Sequence, residues 1–363
     1  MARKTPSPIR ALPAISSSHW CHTAQIGRAL ATAVIAAALV FLAFGRAHAQ
    51  DAGFQHFVEK LWPDAQKAGV SHALFDRAFA GMTPDEGVLE KTHKQAEFVK
   101  PIGDYLATAV SANRIAKGRD KLGEWNETLT KIEHQFGVDR HIVLGVWGME
   151  TNFGGFTGDR SVIRSLATLA SAHYRGDYFR KELVKALQIL QQGHVPMQAF
   201  TGSWAGAMGQ TQFMPSSFQA YAVDFNGDGR KDIWTTIPDA LASTANYLAR
   251  HGWQKGMRWG YEVQVPEGSH AAHQAPGTYR PMSAFAHEGF RRADGKPLPQ
   301  QGEAMLLAPA GKEGPAFLVT KNFKTIKTYN NSTAYALGVA LLGDRISGAP
   351  DLLHAWPTAE ARR

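Results

Sequence analysis

Cysteine is almost missing from this sequence. One residue, Cys21, occurs in 363, so no disulfide can form within the chain and thiol chemistry is excluded beyond residue 21. Cys21 also precedes an apolar run instead of following it, which is the wrong place for a lipid-modified cysteine. Acidic residues are missing from residues 1–49, which carry Arg3, Lys4, Arg10, Arg28 and Arg46. The apolar run Ala29 to Phe44 and the small-residue pattern Ala47-His48-Ala49 complete a secretory signal, with cleavage expected after Ala49. An uncleaved anchor is the alternative, although the run falls short of the roughly 20 residues that span a bilayer.

A concentrated excess of charge is lacking too. The formal balance is +8, but with the five Lys and Arg of residues 1–49 set aside, 34 basic residues face 31 acidic ones. Nucleic acid is therefore not an expected partner, because its binding calls for a concentrated basic face. Metal-enzyme spacing is absent as well. His134, His141, His251, His270 and His273 are scattered, without a carboxylate at zinc-site distance. No strained nucleophile turn announces a Ser-His-Asp arrangement.

What the chain has in quantity is apolar residues at helical spacing, and enough length to bury a large core. Phe54, Phe57, Val58 and Leu61, then Ala73, Leu74, Phe75 and Ala78, predict helix from Gly53 to about Ala80, broken by Met82-Thr83-Pro84. Residues 102–136 continue as amphipathic helix. Gly137-Val138-Asp139 reads as a stop followed by an N-cap for a helix over His141 to Glu150. Helices are also expected over Ser161–Ser171, Tyr178–Gln191, Pro238–His251 and Ala334–Ile346. Between Tyr261 and about Phe323 the texture changes. Tyr261 to Val265 alternates, Gly and Pro become frequent, and Ala304–Leu307 and Ala316–Val319 are short β-like runs. The expected fold is mainly α, α+β overall, divided into a leader (1–49), a helical region (50–260), a small β-containing lobe (261–323) and a returning helix with a tail (324–363).

Glu150 closes a helix whose preceding eight residues, Ile142 to Met149, carry no charge. A carboxyl group there is partly desolvated, which raises its pKa and lets it hold a proton near neutral pH. A glycosidic oxygen needs such a proton before it can leave. The glycines of Thr151-Asn152-Phe153-Gly154-Gly155 are expected to stop the helix. The plainer alternative is a Glu that only hydrogen-bonds the following turn.

A second segment, Gly202 to Ser217, combines close-approach glycines (Gly202, Gly206, Gly209) with Ser203, Gln210 and Gln212 and the apolar faces of Trp204 and Phe213. Sugars are recognised by that mixture, though Met208, Phe213 and Met214 would also suit a core. A third segment, Asp224 to Asp232, sets Asp224, Asn226 and Asp228 at alternate positions, with Gly229 at the sixth place. This is the first half of an EF-hand-like calcium loop, with the Arg230 main-chain carbonyl as a further ligand. Thr235 stands where a bidentate Glu would close the loop. Asp232 could close it early; an Asp/Gly turn without an ion is the alternative.

Together these stretches resemble the B-type lytic murein transglycosylases, a glycoside hydrolase family with a lysozyme-like core. The motifs are Ser111-Ala112-Asn113-Arg114-Ile115, Trp147 to Gly154, Ala205 to Ser217, the Asp/Gly loop, and Tyr329-Asn330-Asn331-Ser332. The resemblance implies that Glu150 is acid and then base in cleaving the β-1,4 bond between N-acetylmuramic acid and N-acetylglucosamine. It also implies that the muramyl C6 hydroxyl, and not water, is the acceptor, giving 1,6-anhydromuramic ends. A water-using muramidase and a non-catalytic wall-binding protein remain open on the residues alone. By the same resemblance Ser203, Gln212, Phe213, Tyr247, Tyr329, Asn330 and Tyr335 line the glycan groove, with Tyr105 aligned more loosely, and Asp239 offers a later closure of the calcium loop than Asp232. Asp159, Arg160, Arg164, Arg175 and Arg180 could meet carboxylates of the wall or serve as structural ion pairs. The implied setting is a periplasmic monomer acting on peptidoglycan strands, without a catalytic cofactor, with a structural calcium ion and association with other wall enzymes as further expectations.

Overall fold

A computed structural model describes residues 52–93, 101–269 and 277–357. The expected leader lies outside them, as do His270 and His273. By its contacts the chain divides at residue 57, and residues 57–363, the second unit, are compact.

The second unit begins within helix α1, which ends at residue 67. Then come α2 (His72–Phe79), α3 (Glu86–His93), α4 (Ile102–Ala109), α5 (Ala112–Glu124), α6 (Asn126–Phe136) and α7 (Arg140–Thr151). The strand pair β1 (Arg160–Ser161) and β2 (Thr201–Gly202) brackets α8 (Val162–Ser171) and α9 (Tyr178–Gln191). Helices α10 (Pro215–Tyr221) and α11 (Ile237–Arg250) follow. A five-stranded antiparallel sheet is built from β3 (Gly260–Gln264), β4 (Arg280–Pro281), β5 (Arg291–Arg292), β6 (Glu303–Leu307) and β7 (Ala316–Val319), in the order β4-β6-β7-β3-β5. Helix α12 (Met282–His287) lies within that lobe, and α13 (Lys321–Tyr329) and α14 (Thr333–Ile346) end the ordered elements.

Local chemistry sets the boundaries. The Asp139 carboxylate accepts from the His141 N–H at 2.8 Å and starts α7, while Gly137 closes α6 in the left-handed region. Ser161 and Ser332 cap α8 and α14 in the same way. The run over residues 102–136 is three helices, not one, because the backbone leaves helical geometry at Val110 and Trp125. The β lobe also stops earlier than its strand-like texture suggests. Thr320 takes the Asn322 N–H at 3.2 Å and begins α13.

The core is organised around α7, which crosses α14 so closely that side chains are excluded. A Cβ on Gly145 would lie 2.4 Å from the Val339 carbonyl oxygen, and one on Gly343 would lie 2.8 Å from that of His141. The helices run antiparallel, so His141 meets Gly343, Gly145 meets Val339, and the last turn of α7 meets the first turn of α14. This places Glu150 beside Tyr335. The sheet lobe has its own apolar centre of Val263, Met282, Phe285, Phe290, Leu298, Ala304, Ala316 and Leu318. In its register Tyr261 faces Leu318 and Leu306 faces Leu318 from the other side.

Candidate active site

Helix α7 is buried from Ile142 to Gly148 and delivers Glu150 at its final turn. The stop is not made by glycine. Asn152 and Phe153 both take left-handed backbone angles (φ 51° and 59°) ahead of Gly154, a conformation costly for bulky residues and kept only where packing enforces it. The enforcing contact is the Phe153 ring. It is 4% exposed and lies edge-on to Trp147 at 5.6 Å, in space left by Gly118 and Gly148, where a Cβ would come within 2.9 and 2.7 Å of its Cζ.

Glu150 keeps partial solvent access, but protein surrounds its carboxyl end, and that desolvation pushes its pKa up to about 7. The Tyr335 hydroxyl donates to Glu150 Oε1 at 2.6 Å and opposes the shift by favouring the ionised form. Tyr335 is buried and its own pKa is driven well up by burial and then by the Glu150 charge. Tyr329 behaves likewise, with its hydroxyl held by the Thr211 carbonyl at 2.7 Å. Tyr105 is raised by burial and then by Glu150. Tyr335 from α14 is thus bonded to the carboxyl, and the buried phenols of Tyr105 from α4 and Tyr329 from α13 feel its charge, surroundings that favour a retained proton.

The Gly-rich segment forms the adjoining wall. Ser203 closes a tight turn, its Oγ accepting from Ala207 N–H at 3.0 Å. Gln212 has φ 55° and donates from Nε2 to the carbonyls of Thr157 and Gly209, both at 3.0 Å. Phe213 is 2% exposed and Tyr247 8%. Their rings lie 5.9 and 4.9 Å from that of Tyr329, and the Tyr247 hydroxyl is committed to the Thr328 carbonyl at 2.7 Å. Both therefore stand behind Tyr329, while Asn330 is exposed, its Oδ1 taking the Ser332 N–H at 3.1 Å.

Gln210 joins the two motifs and was not among the groove residues expected from sequence. Its Oε1 accepts from Trp147 Nε1 at 3.0 Å, its Nε2 donates to the Trp234 carbonyl at 2.9 Å, and its own carbonyl takes the Thr151 hydroxyl at 2.7 Å. An amide within a sugar-binding type of sequence was the available signal, but its partner 63 residues away was not. Three of the basic residues after the α7 turn have internal roles. Arg160 pairs with Asp85 at 2.6 Å, Arg164 donates to the Thr83 and Pro84 carbonyls, and Arg180 pairs with Asp64 at 2.7 Å.

In the Asp/Gly loop the carboxylates cap their own main chain. Asp224 accepts from the N–H groups of Gly227 and Gly229, both at 2.7 Å, and Asp228 from that of Arg230 at 2.9 Å. Asp239, fully buried at the start of α11, reaches back to the N–H groups of Phe225 and Asp232, both at 2.9 Å. Asp232 faces forward to the N–H groups of Trp234 and Thr235, both at 2.9 Å. Burial raises the Asp239 pKa, the main-chain bonds oppose it, and the Asp224 charge adds to the rise. Among the described residues no three His, Cys, Asp or Glu side chains converge as a metal cluster. The donor set of carboxylates, an amide and a main-chain carbonyl nevertheless suits a hard cation.

Residues 53–344 match the family described as Transglycosylase SLT domain. The chain belongs to that family. The chain is 34% identical over 252 residues to membrane-bound lytic murein transglycosylase B of Escherichia coli strain K12, covering 67% of this chain and 66% of that protein. It thus spans just under two thirds of that relative's length. It is similar to SltB3 from Pseudomonas aeruginosa in complex with NAG-anhNAM-pentapeptide, with TM-score 0.81 and 44% identity over 84% of this chain and 82% of that one. The Escherichia coli lytic transglycosylase Slt35 in complex with calcium matches with TM-score 0.69 and 29% identity, covering 82% and 93% of the two chains. The α+β, lysozyme-like class expected from the sequence is the fold of these transglycosylases.

Proposed function

We propose that this family member cleaves the β-1,4 bond between N-acetylmuramic acid and N-acetylglucosamine in peptidoglycan, leaving a 1,6-anhydromuramic end, with Glu150 as acid and then base. The observation that carries the reading is the Glu150 carboxyl itself, desolvated to a pKa of about 7 and aimed by Tyr335. At neutral pH a large share of it holds a proton to give to the glycosidic oxygen. The carboxylate left behind removes the proton of the muramyl C6 hydroxyl as that oxygen closes on the anomeric carbon. One carboxyl group serves both steps because the nucleophile belongs to the substrate and is already near the reacting carbon. The binding of NAG-anhNAM-pentapeptide by SltB3 supports the anhydro outcome.

Tyr329, Asn330, Ser203 and Gln212 are assigned to the groove, with Tyr105 at its edge. Phe213 and Tyr247 act from behind by fixing the Tyr329 ring. Asp224, Asn226, Asp228 and Asp239, with the Arg230 carbonyl, form a structural calcium site, and Asp232 caps the turn into α11. The calcium complex of Slt35 and the mutual repulsion of Asp224 and Asp239 support that assignment. Action on the wall places the protein in the periplasm, the destination that residues 1–49 encode in their pattern.

The test is Glu150→Gln on purified peptidoglycan. Turnover should vanish while pelleting with insoluble wall and the melting temperature near pH 4 are retained. Persistent turnover would remove Glu150 from the chemistry.

A further inference from the structure

A cavity of about 600 Å³ lies between α4, the sheet lobe and residues 349–356. Two of its arginines are paired internally, Arg258 with Asp344 at 2.9 Å and Arg292 with Asp294 at 2.6 Å. Its C-terminal wall is more informative. After α14 the chain is turned by Arg345, which donates to the Ala349 carbonyl at 2.6 Å and pairs with Asp351 at 3.1 Å. The N–H groups of Leu353 and His354 then grip the Glu262 carboxylate on β3 at 2.9 and 2.8 Å. Next, Trp356 lies 6.3 Å from Phe317 of β7.

Trp356 also touches the first turn of α4. A Cβ on Gly103 would sit 2.8 Å from the Trp356 Cβ, so the indole's base occupies the space of a missing side chain. That end of α4 has no side-chain cap at Pro101. The other end is fixed to the turn after Glu150. Arg114 donates to the Ala109 carbonyl at 2.6 Å and reaches Asn152 Oδ1 at 3.4 Å. Gly338 of α14 leaves room there for both Met149 and Ala109. Tyr105 lies on α4 between these two anchors, and its pKa is raised by burial and then by the Glu150 charge.

We propose that Trp356, at the end of the strap 349–357, is a positioning residue for the reaction: it seats the first turn of α4, whose far end packs beside Met149 and the turn after Glu150, so that α4 keeps water from that carboxyl. The inference rests on the reading of Glu150 as the proton donor. The titratable groups that interact with Glu150 are Tyr335 from α14, which is bonded to it, and Tyr329 from the end of α13 and Tyr105 from α4 through its charge, while Arg114 interacts with Tyr105. None of the three phenols ionises at neutral pH. Loosening α4 therefore acts by admitting water, which returns the Glu150 pKa from about 7 toward its ordinary 4.5.

The experiment compares Trp356→Ala and Trp356→Phe in the otherwise unaltered chain, following release of soluble fragments from purified peptidoglycan across pH, with Glu150→Gln as reference. Trp356→Ala should lower kcat roughly tenfold, leave KM nearly unchanged, and move the alkaline limb of the pH profile to lower pH. Trp356→Phe should restore both. Gly103→Ala favours the helix itself yet displaces the indole, and should shift the limb the same way even if Trp356→Ala does not fold. If the variants lower only the melting temperature and leave kcat and the limb in place, the strap is merely structural and the inference falls. An active Glu150→Gln would instead defeat the underlying reading, a result visible before any strap variant is assayed.

Discussion

The Tyr335 hydroxyl and the Glu150 carboxyl, 185 residues apart in sequence, meet at 2.6 Å because α7 and α14 cross antiparallel with a glycine of each helix against a main-chain carbonyl of the other. The bond does two opposed things. It orients the carboxyl, and it holds down a pKa that burial alone would raise further. Tyr335→Phe separates them. The alkaline limb of activity should move to higher pH, because the lost donor had favoured the ionised form, while kcat at the optimum falls roughly tenfold through lost aim. A pH–rate profile on purified glycan checks both signs, and a limb moving downward would contradict them.

The raised pKa of Glu150 also carries a stability consequence. Below about pH 4.5 the group is protonated in both folded and unfolded chains and costs nothing. As pH rises toward 7 the unfolded chain releases its proton while the folded one retains it, so stability is lost across that window, by up to about 3 kcal/mol when complete. Glu150→Gln, which keeps an oxygen to accept from Tyr335, should melt higher than the parent at pH 8 and equal to it near pH 4. Thermal melts at the two values measure the difference; equal melting at both would show that the carboxyl is not desolvated.

The position of Glu150 in the last turn of a buried helix was legible in the sequence because eight uncharged residues lead directly to it. Its setting was legible only in part. The expected stop by glycine is instead two left-handed residues, Asn152 and Phe153, which local propensity argues against and the packing of the Phe153 ring enforces. Tyr329 and Tyr335 were accessible through family motifs, since no local pattern joins either to a residue so distant in the chain. The bonding of Gln210 to Trp147 and Thr151, and the place of Trp356, escaped for a related reason: an amide or an indole can satisfy itself in many ways, and only the assembled fold decides which. The helices at Tyr178–Gln191 and around Ile237–Arg250 were read almost to the residue, because their apolar stripes and flanking signals agree with their tertiary contacts.

The calcium assignment makes a separable claim. Calcium at millimolar concentration should raise the melting temperature of the parent, since an ion that binds only the folded chain stabilises it by mass action. Asp239→Asn should abolish that rise while leaving a measurable transition. The relevant quantity is the calcium-dependent difference, because the substitution also disturbs the N–H groups of Phe225 and Asp232 that Asp239 now accepts from. An undiminished rise in the variant would remove Asp239 from the site.

The central claim is that the proton held by Glu150 serves an intramolecular closure of the sugar. Mass spectrometry of the muramic ends released from purified peptidoglycan tests it most directly. Anhydro ends, lighter than hydrolysed ones by one water or about 18 mass units, should account for the products of the parent protein and disappear with Glu150→Gln. Products carrying only reducing muramic ends would show that water is the acceptor and contradict the account.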